Sequence, residues 1–113
     1  MTKGTGEMVA VSQDTGKIQW DDHLPSSPYG AATVTNNVVF TTTCNGYLYA
    51  FNTATGAILL KLPLSAGTNA PVTVDSDYVI TGAGVSNSNS QQPLIIAYKL
   101  GASSKLPDTV GGL

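Results

Sequence analysis

The sequence predicts an all-β protein built from repeated units of about forty residues. Two segments, Met8–Trp20 and Tyr47–Leu60, each have the pattern of a short strand, a Thr-Gly turn and a second strand. No window of a dozen residues keeps the i, i+3, i+4 apolar spacing of a helix. Charged residues make up only 11% of the chain, and Thr, Ser, Asn and Gly fill the polar positions. This composition is typical of hydrogen-bonded β structure.

Size and charge exclude several classes of function. A chain of 113 residues can bury one modest core, and its longest apolar run is far too short for a membrane span. The net charge is −2 and there is no Arg, which argues against binding to nucleic acid, since that needs a basic surface. The first residues lack the apolar core of a signal peptide. The chain is therefore expected to be cytoplasmic as written or cut from a longer secreted parent.

The first strand pair is predicted at Met8–Val11 and Lys17–Trp20, joined by the turn Asp14-Thr15-Gly16. Residues 1–7 are expected to be a disordered lead-in, and residues 21–29, with two prolines, a loop. Further strands are predicted at Ala32–Val34, Val38–Thr42, Tyr47–Phe51, Ile58–Leu62, Val72–Val74, Tyr78–Ala83 and Leu94–Leu100.

The internal repeat extends well beyond the turns. Residues 10–44 align with residues 50–84 at a single offset without a gap. The identities at this offset are Ala10/Ala50, Thr15/Thr55, Gly16/Gly56, Ile18/Ile58, Leu24/Leu64, Thr33/Thr73, Val34/Val74, Val39/Val79 and Thr41/Thr81. A partial third copy at residues 93–100 follows an insert at 85–92, interpreted as a surface loop or, alternatively, a substrate-covering loop. Residues 101–113 are expected to be a frayed tail.

Four short strands in about forty residues are the size of one propeller blade. The fold prediction is therefore a partial β-propeller of about two four-stranded antiparallel blades, with repeats at 8–44, 47–84 and, in part, 93–100. Counting strands gives two, then four, then three, so the chain would begin and end within a blade. Each blade has two apolar faces that need a neighbour. The bare outer faces are predicted to contact either the remaining blades or a second copy of the chain.

The pattern Ala10-x4-Thr15-Gly16-x3-Trp20 resembles the tryptophan-docking motif of quinoprotein dehydrogenases, the propellers that bind pyrroloquinoline quinone (PQQ). In that family the Trp packs against the neighbouring blade. The docking positions of the second repeat are Ala50, Thr55, Gly56 and Leu60. The segment 67–71, followed by 75–79, is similar to the C-terminal blades of quinoprotein alcohol dehydrogenases.

This chain departs from the family pattern at several points. Ser12 and Asn52 stand where the family has Asp, and Leu60 stands where it has a second Trp. The adjacent Cys pair and the acidic motifs that hold Ca²⁺ are absent from the sequence. The family's Ca²⁺ ligands and catalytic base therefore cannot be carried over to residues of this chain.

The resemblance implies a segment of a PQQ-dependent alcohol dehydrogenase from the periplasm. In a complete parent, PQQ with calcium would accept a hydride from the alcohol. This chain alone is expected to bind no cofactor and to be inactive, because a cofactor on the axis needs contacts from all blades. Two alternatives stay open: a non-catalytic assembly scaffold with the same docking motif, and a small protein that completes a ring by homo-oligomerisation.

Among polar residues, Asn69 is the candidate cofactor contact, because it precedes Ala70-Pro71, where an inner strand would enter near the propeller axis. Backbone capping is the alternative role. His23 is interpreted as a solvated loop residue beside Asp21 and Asp22, rather than as a general base. No metal site is predicted, because these three residues lack further ligands at a defined spacing.

Other features have simpler explanations. Cys44 is predicted to be a small buried residue, since no His or basic residue lies near it in the sequence to make it a reactive thiol. Trp20-Asp21 fits a WD40 repeat poorly, because the Trp follows the turn. Asp75 and Asp77 are expected to serve a hairpin turn. Residues 82–84, Gly-Ala-Gly, precede no helix and so are no dinucleotide motif. They are expected to let strands approach closely.

Overall fold

The computed structural model describes residues 4–86 and 88–103, and within these ranges it consists of strands, turns and loops without a helix. The all-β prediction is therefore confirmed. The strands are β1 (Gly6–Val11), β2 (Ile18–Leu24), β3 (Thr33–Thr35), β4 (Val38–Thr42), β5 (Tyr47–Asn52), β6 (Ile58–Pro63), β7 (Thr73–Asp75), β8 (Tyr78–Ala83) and β9 (Leu94–Lys99). The described residues contain no helix of the length and apolarity that crossing a membrane requires.

The strands form three antiparallel sheets. The first sheet is β1-β2, the second is β3-β4-β5-β6 and the third is β7-β8-β9. The second sheet is a complete four-stranded unit. Judged by the repeat, the first sheet contains the equivalents of β5 and β6, and the third contains the equivalents of β3, β4 and β5. The strand count of two, four and three matches the sequence prediction.

Side-chain preferences of turn residues explain the tight hairpins. Asn36 and Asn37 have φ values of 47° and 64°, and Ser76 has a φ of 52°. Asn tolerates this left-handed region because its short polar side chain can bond locally. Gly16 and Gly56 have φ values of 69° and 76°, where a Cβ would be strained. The turns therefore lie at the positions that the sequence predicted.

The repeat is also visible in the irregularities of the backbone. The register of β1 and β2 shifts between Ala10 and Val11, and that of β5 and β6 shifts between Ala50 and Phe51. These shifts occur at equivalent positions of the two copies. Such bulges bend a strand and increase its twist, so the two strand pairs have the same local shape.

The core lies between the sheets. The first interface, between the first and second sheets, buries Leu24, Val39, Tyr49 and Phe51, with Met8, Trp20 and Tyr47 packed against them. The second interface, between the second and third sheets, buries Phe40, Leu48, Ala50 and Val72, with Val74, Val79 and Tyr98 among the partly buried residues. Each sheet therefore uses its neighbour to remove one apolar face from water.

Threonine hydroxyls fasten the second interface. Thr33 Oγ1 donates to the Val72 carbonyl at 2.6 Å, and Thr42 Oγ1 donates to the Ala70 carbonyl at 2.8 Å. Both bonds join the second sheet to the segment that enters the third. They satisfy carbonyl groups at the edge of a core without introducing charge, which is one structural use of the Thr-rich composition.

Two strand boundaries differ from the sequence prediction by more than one residue. The strand β2 continues to Leu24, so residues 21–24 are not part of a loop; they pair with β1, with Gly6 opposite Leu24. Gly6 and Glu7 accordingly belong to β1 rather than to a disordered lead-in. Local sequence missed this pairing because neither segment has an alternating apolar pattern. Residues 1–3 of the lead-in and 104–113 of the tail lie outside the described residues.

Candidate functional site

Trp20 contacts the turn of the second repeat. It lies opposite Ala10 on the face of the first sheet that packs against the second sheet. Its ring stacks on Phe51, with ring centroids 6.1 Å apart and an interplanar angle of 19°. The indole N–H donates to the Thr53 carbonyl at 2.8 Å. A Cβ on Gly56 would come within 2.7 Å of the Trp20 ring, so this position needs glycine both for its φ and for the close approach.

The turn beneath the indole is built by short-range hydrogen bonds. The Gly56 N–H donates to the Asn52 carbonyl, and the Asn52 N–H donates to the Ala57 carbonyl, both at 2.9 Å. Asn52 Oδ1 accepts from the N–H groups of Ala54 at 2.9 Å and Thr55 at 3.2 Å. Asn52 therefore satisfies the turn backbone as an Asp would, which explains why the departure from the family pattern at this position is tolerated.

The first repeat has the same turn. The Gly16 N–H donates to the Ser12 carbonyl, and the Ser12 N–H donates to the Lys17 carbonyl, both at 2.8 Å. Ser12 Oγ accepts from the Thr15 N–H at 3.3 Å. Thr15 Oγ1 in turn accepts from the Lys17 N–H at 3.3 Å, as Thr55 Oγ1 does from Ala57. The two turns therefore have matching hydrogen-bond patterns.

We call Phe51, Thr53 and Gly56 the occupied socket, and their equivalents Val11, Gln13 and Gly16 the open socket. Phe51 is 0% exposed beneath the indole, whereas Val11 is 57% exposed. No described atom lies within 4 Å of a Cβ built on Gly16, apart from its chain neighbours. The open socket thus has the backbone of the occupied one but no covering ring.

Leu60 occupies the position of Trp20 in the second repeat. It pairs with Ala50, as Trp20 pairs with Ala10, and a small residue opposite a large one is thereby common to both copies. Leu60 remains 40% exposed, and its neighbour Leu59 is exposed as well. Whether these positions act as docking residues in a larger assembly stays a prediction.

A shallow depression on the third sheet contains Asn69. Its volume is about 470 Å³, and its lining is formed by Thr68, Asn69, Ala70, Gly82, Ala83, Gly84, Val85, Pro93, Leu94 and Ile95. Thr68 Oγ1, rather than the Asn69 side chain, accepts the hydrogen bond from the Ala70 N–H, at 3.0 Å. Asn69 is exposed, and within the described residues its amide has no hydrogen-bond partner. Its role as a cofactor contact stays a prediction.

The depression does not by itself fit PQQ with calcium. Calcium takes six to eight oxygen ligands, usually with carboxylates among them, and among the described residues no Asp or Glu lines this surface. Within residues 4–86 and 88–103, no Lys lines it either, to face the carboxylates of PQQ. The surface offers the Asn69 amide and the Thr68 hydroxyl. These two residues could form at most one wall of a cofactor site, and they do not define a catalytic step.

The fold regroups the charged residues near His23. Because side chains alternate along β2, Asp21 and His23 lie on the outer face, whereas Asp22 lies on the inner face opposite Met8. Glu7, placed by β1, comes within 3.2 Å of the His23 ring, measured from Oε1 to Nδ1. Sequence reasoning missed Glu7 because it assigned that residue to the lead-in. His23 is exposed, as expected, but on a strand instead of a loop.

The other residues considered in the sequence lie at structural positions. Cys44 is buried, as predicted. Asp75 and Asp77 are exposed beside the hairpin turn between β7 and β8. Close backbone approach occurs at Gly30 and Gly67, where a Cβ would collide with Thr42 Oγ1 and the Cys44 carbonyl. The expectation of close approach at residues 82–84 was wrong: Gly84 has open space around it, and a Cβ on Gly82 would lie 3.7 Å from the Ala70 Cβ, an ordinary contact.

Tyr98 was not singled out by the sequence. It packs at the second interface, and its hydroxyl donates to the Pro63 carbonyl at 3.0 Å. Burial raises the pKa of Tyr98 above its ordinary value of 10.0. The hydroxyl is therefore held as a neutral donor that links the end of β6 to the third sheet.

Comparison with known proteins decides the family. The model of the PQQ_2 family, described as "Outer membrane protein assembly factor BamB", matches residues 4–96. The chain belongs to this family. Membership in PQQ_2 agrees with the repeat, the Thr-Gly turns and the three stacked sheets.

Several PQQ-type proteins resemble the chain. Quinoprotein ethanol dehydrogenase of Pseudomonas putida is 36% identical over 75 residues, which are 64% of this chain and 12% of that protein. The crystal structure of quinohemoprotein alcohol dehydrogenase from Comamonas testosteroni matches with a TM-score of 0.77 and 27% identity, over 96% of this chain and 18% of that one. BamB from Moraxella catarrhalis matches with a TM-score of 0.57 and 19% identity, over 96% of this chain and 40% of that one.

The chain thus spans 12% of the curated relative that it matches and 18% of the Comamonas structure. It is a PQQ-type propeller segment related to quinoprotein alcohol dehydrogenases. The BamB likeness, at 19% identity, shows the shared fold alone.

Proposed function

We propose that the chain is part of the propeller of a PQQ-dependent alcohol dehydrogenase of the periplasm. In this role it packs between neighbouring blades and supplies one wall near the axis, whereas the calcium ligands and the base come from other blades. The supporting observation is its similarity to alcohol-oxidising quinoproteins. The Comamonas enzyme matches 96% of the chain with a TM-score of 0.77, and the Pseudomonas ethanol dehydrogenase is 36% identical.

The composition of the depression favours a role in positioning a bound group rather than a catalytic role. The part of its lining that the structure describes carries an amide and a hydroxyl but no carboxylate and no lysine. A group bound there would be oriented by Asn69 and Thr68 and shielded on one side by the apolar residues of β9. The isolated chain is therefore expected to be inactive.

The open socket supports a further repeat as the partner. Its backbone matches that of the occupied socket, in which Trp20 provides stacking and one hydrogen bond. An aromatic ring from a preceding repeat would find the same contacts over Val11 and Gly16. Such a ring would remove from water a surface that now includes Val11 at 57% exposure.

The test compares the isolated chain with the longest available parent protein. Each is incubated with PQQ and Ca²⁺, and alcohol oxidation is followed with an artificial electron acceptor. Activity in the parent and none in the isolated chain is expected. In the parent, Asn69→Ala should lower activity, whereas Asp77→Asn, on the exposed hairpin turn, should not. Activity in neither protein would contradict the proposal.

A non-catalytic scaffold is the second candidate. The description of the matching family, an outer membrane protein assembly factor, favours it. A parent that stays inactive with PQQ and Ca²⁺ but remains folded would be the result expected of a scaffold.

Homo-oligomerisation is the third candidate, and the exposed apolar residues on the outer strands favour it. These residues are Val11, Ile18, Ile58, Leu59 and Ile95. Light scattering tests this proposal directly, because a ring built from copies of the chain must have several times its mass. A monomer at high concentration would rule this possibility out.

A further inference from the structure

We propose that Glu7, Asp21 and His23 form a binding site for a divalent transition-metal ion such as Zn²⁺ on the outer face of the first sheet. The pairing of β1 with β2 places Glu7 directly opposite His23, and Asp21 opposite Val9. Residues two apart on a strand share a face, so all three side chains point to the same side. No feature of the local sequence predicts this grouping, because Glu7 comes from a different strand.

The distances suit one small ion. One ligand atom from each residue lies within 4.8 Å of the others. His23 Nδ1 and Glu7 Oε1 are already 3.2 Å apart, close to the roughly 3.3 Å that separates two ligands of a tetrahedral zinc with bonds of about 2.0 Å. Asp21 is exposed, so a change of its rotamer can bring its carboxylate closer without disturbing the core.

The donor set selects the class of metal. An imidazole nitrogen with carboxylate oxygens suits Zn²⁺ and its transition-metal neighbours. Mg²⁺ and Ca²⁺ prefer oxygen ligands throughout. Three protein ligands leave a position for water, as in open zinc sites. Asp22 contributes nothing to this set, because it lies on the opposite face.

The site is compatible with a further repeat on the first sheet. Lys61 and Pro63, the equivalents of Asp21 and His23 in the second repeat, remain exposed although the first sheet covers their face. Lys61 extends over the rim, with its Nζ 4.4 Å from the centre of the Tyr47 ring. By this equivalence, Asp21 and His23 lie at the rim of an interface, and Glu7, the equivalent of the partly buried Tyr47, lies at its edge. The proposal does not depend on the proposed dehydrogenase role.

The test uses the full chain and its single histidine. Zn²⁺ is titrated while the His23 ring resonances are followed by NMR and the heat of binding by calorimetry, with Mg²⁺ as a comparison. Zn²⁺ should shift the His23 signals and bind once per chain, whereas Mg²⁺ should not. Loss of a group that only orients a metal ligand costs about ten- to a hundredfold in affinity. Glu7→Gln, Asp21→Asn and His23→Ala should each therefore weaken Zn²⁺ binding by more than about tenfold.

Asp22→Asn is the matched control, since it removes the same charge from a residue between Asp21 and His23. It should leave Zn²⁺ affinity unchanged within about twofold, because only the three ligands on the outer face contact the ion. Trp20 fluorescence verifies that each variant is folded. Unshifted His23 resonances at millimolar Zn²⁺ would overturn the proposal. If Glu7→Gln and Asp21→Asn both kept the Zn²⁺ affinity of the unchanged chain, the proposal would also be overturned, because the imidazole would then bind alone.

Discussion

The turns at Gly16 and Gly56 differ in their surroundings far more than in their structure. Both have φ values near 70°, and both are closed by equivalent hydrogen bonds. Only the turn at Gly56 lies beneath an indole, which leaves Phe51 0% exposed while Val11 is 57% exposed. The turn is therefore a property of the local chain, and its burial is a property of the neighbouring sheet. The open socket keeps its shape without an occupant.

The largest predicted effect is that of removing the ring from the occupied socket. Trp20→Ala should lower the free energy of unfolding by about 3–5 kcal/mol, the range for large aromatic side chains in a core. The change removes the stacking on Phe51 and the hydrogen bond to the Thr53 carbonyl. Denaturant titration measures this loss. It is followed by circular dichroism, because the variant lacks the only Trp and therefore has no Trp fluorescence. A loss under about 1 kcal/mol would show that the indole contributes little packing.

The control for this variant is Leu60→Ala, at the equivalent position of the second repeat. Leu60 is 40% exposed, so its side chain is less covered than that of Trp20. Its replacement should cost about 1 kcal/mol or less. Equal losses for Trp20→Ala and Leu60→Ala would break the comparison between the two sockets.

The second prediction places the same change in both turns. Gly16→Ala should cost about 1–2 kcal/mol, because only the left-handed backbone is strained. Gly56→Ala should cost about 1–3 kcal/mol more, because the new methyl group also displaces the Trp20 ring. Thermal or chemical unfolding of the two variants measures the difference. Equal costs would mean that Trp20 moves away freely.

A smaller effect separates the hydrogen bond from the stacking. Trp20→Phe keeps an aromatic ring over Phe51 but removes the N–H that donates to Thr53 at 2.8 Å. The expected loss is about 1–2 kcal/mol, since a partly buried carbonyl loses its partner. The free energy of unfolding again measures it. A loss as large as that of Trp20→Ala would assign the stabilisation to the hydrogen bond rather than to ring packing.

The smallest effect should be the same in both turns. Asn52→Ala and Ser12→Ala each remove a side-chain acceptor from exposed backbone N–H groups that water can serve instead. Each should cost about 0.5–1.5 kcal/mol. A much larger cost for Asn52→Ala would show that the covered turn depends on its own side-chain chemistry as well as on the indole.

Local structure was largely predictable from the sequence. Turn residues such as Asn36-Asn37 and Gly56 have conformational preferences that act within a few residues, and the forty-residue offset placed equivalent strands correctly. The candidate sites were harder to predict from the sequence. Glu7 joined His23 only through the pairing of β1 with β2, and Asp22, although adjacent in sequence, was directed to the other face. A pattern read along the chain cannot show which residues lie opposite one another.

By itself, the sequence determined the all-β fold, the positions of the tight turns and the family of this chain, because these depend on short-range preferences and on a repeat visible in the letters. The tertiary structure alone decided which of two matching turns is covered and which carboxylates meet His23. The covering of the turn depends on contact between the first and second sheets, and the grouping at His23 depends on the pairing of β1 with β2. Burial is set by the sheet that stacks on a surface, whereas side-chain grouping is set by the strand that pairs alongside, and both neighbours are fixed only when the chain folds.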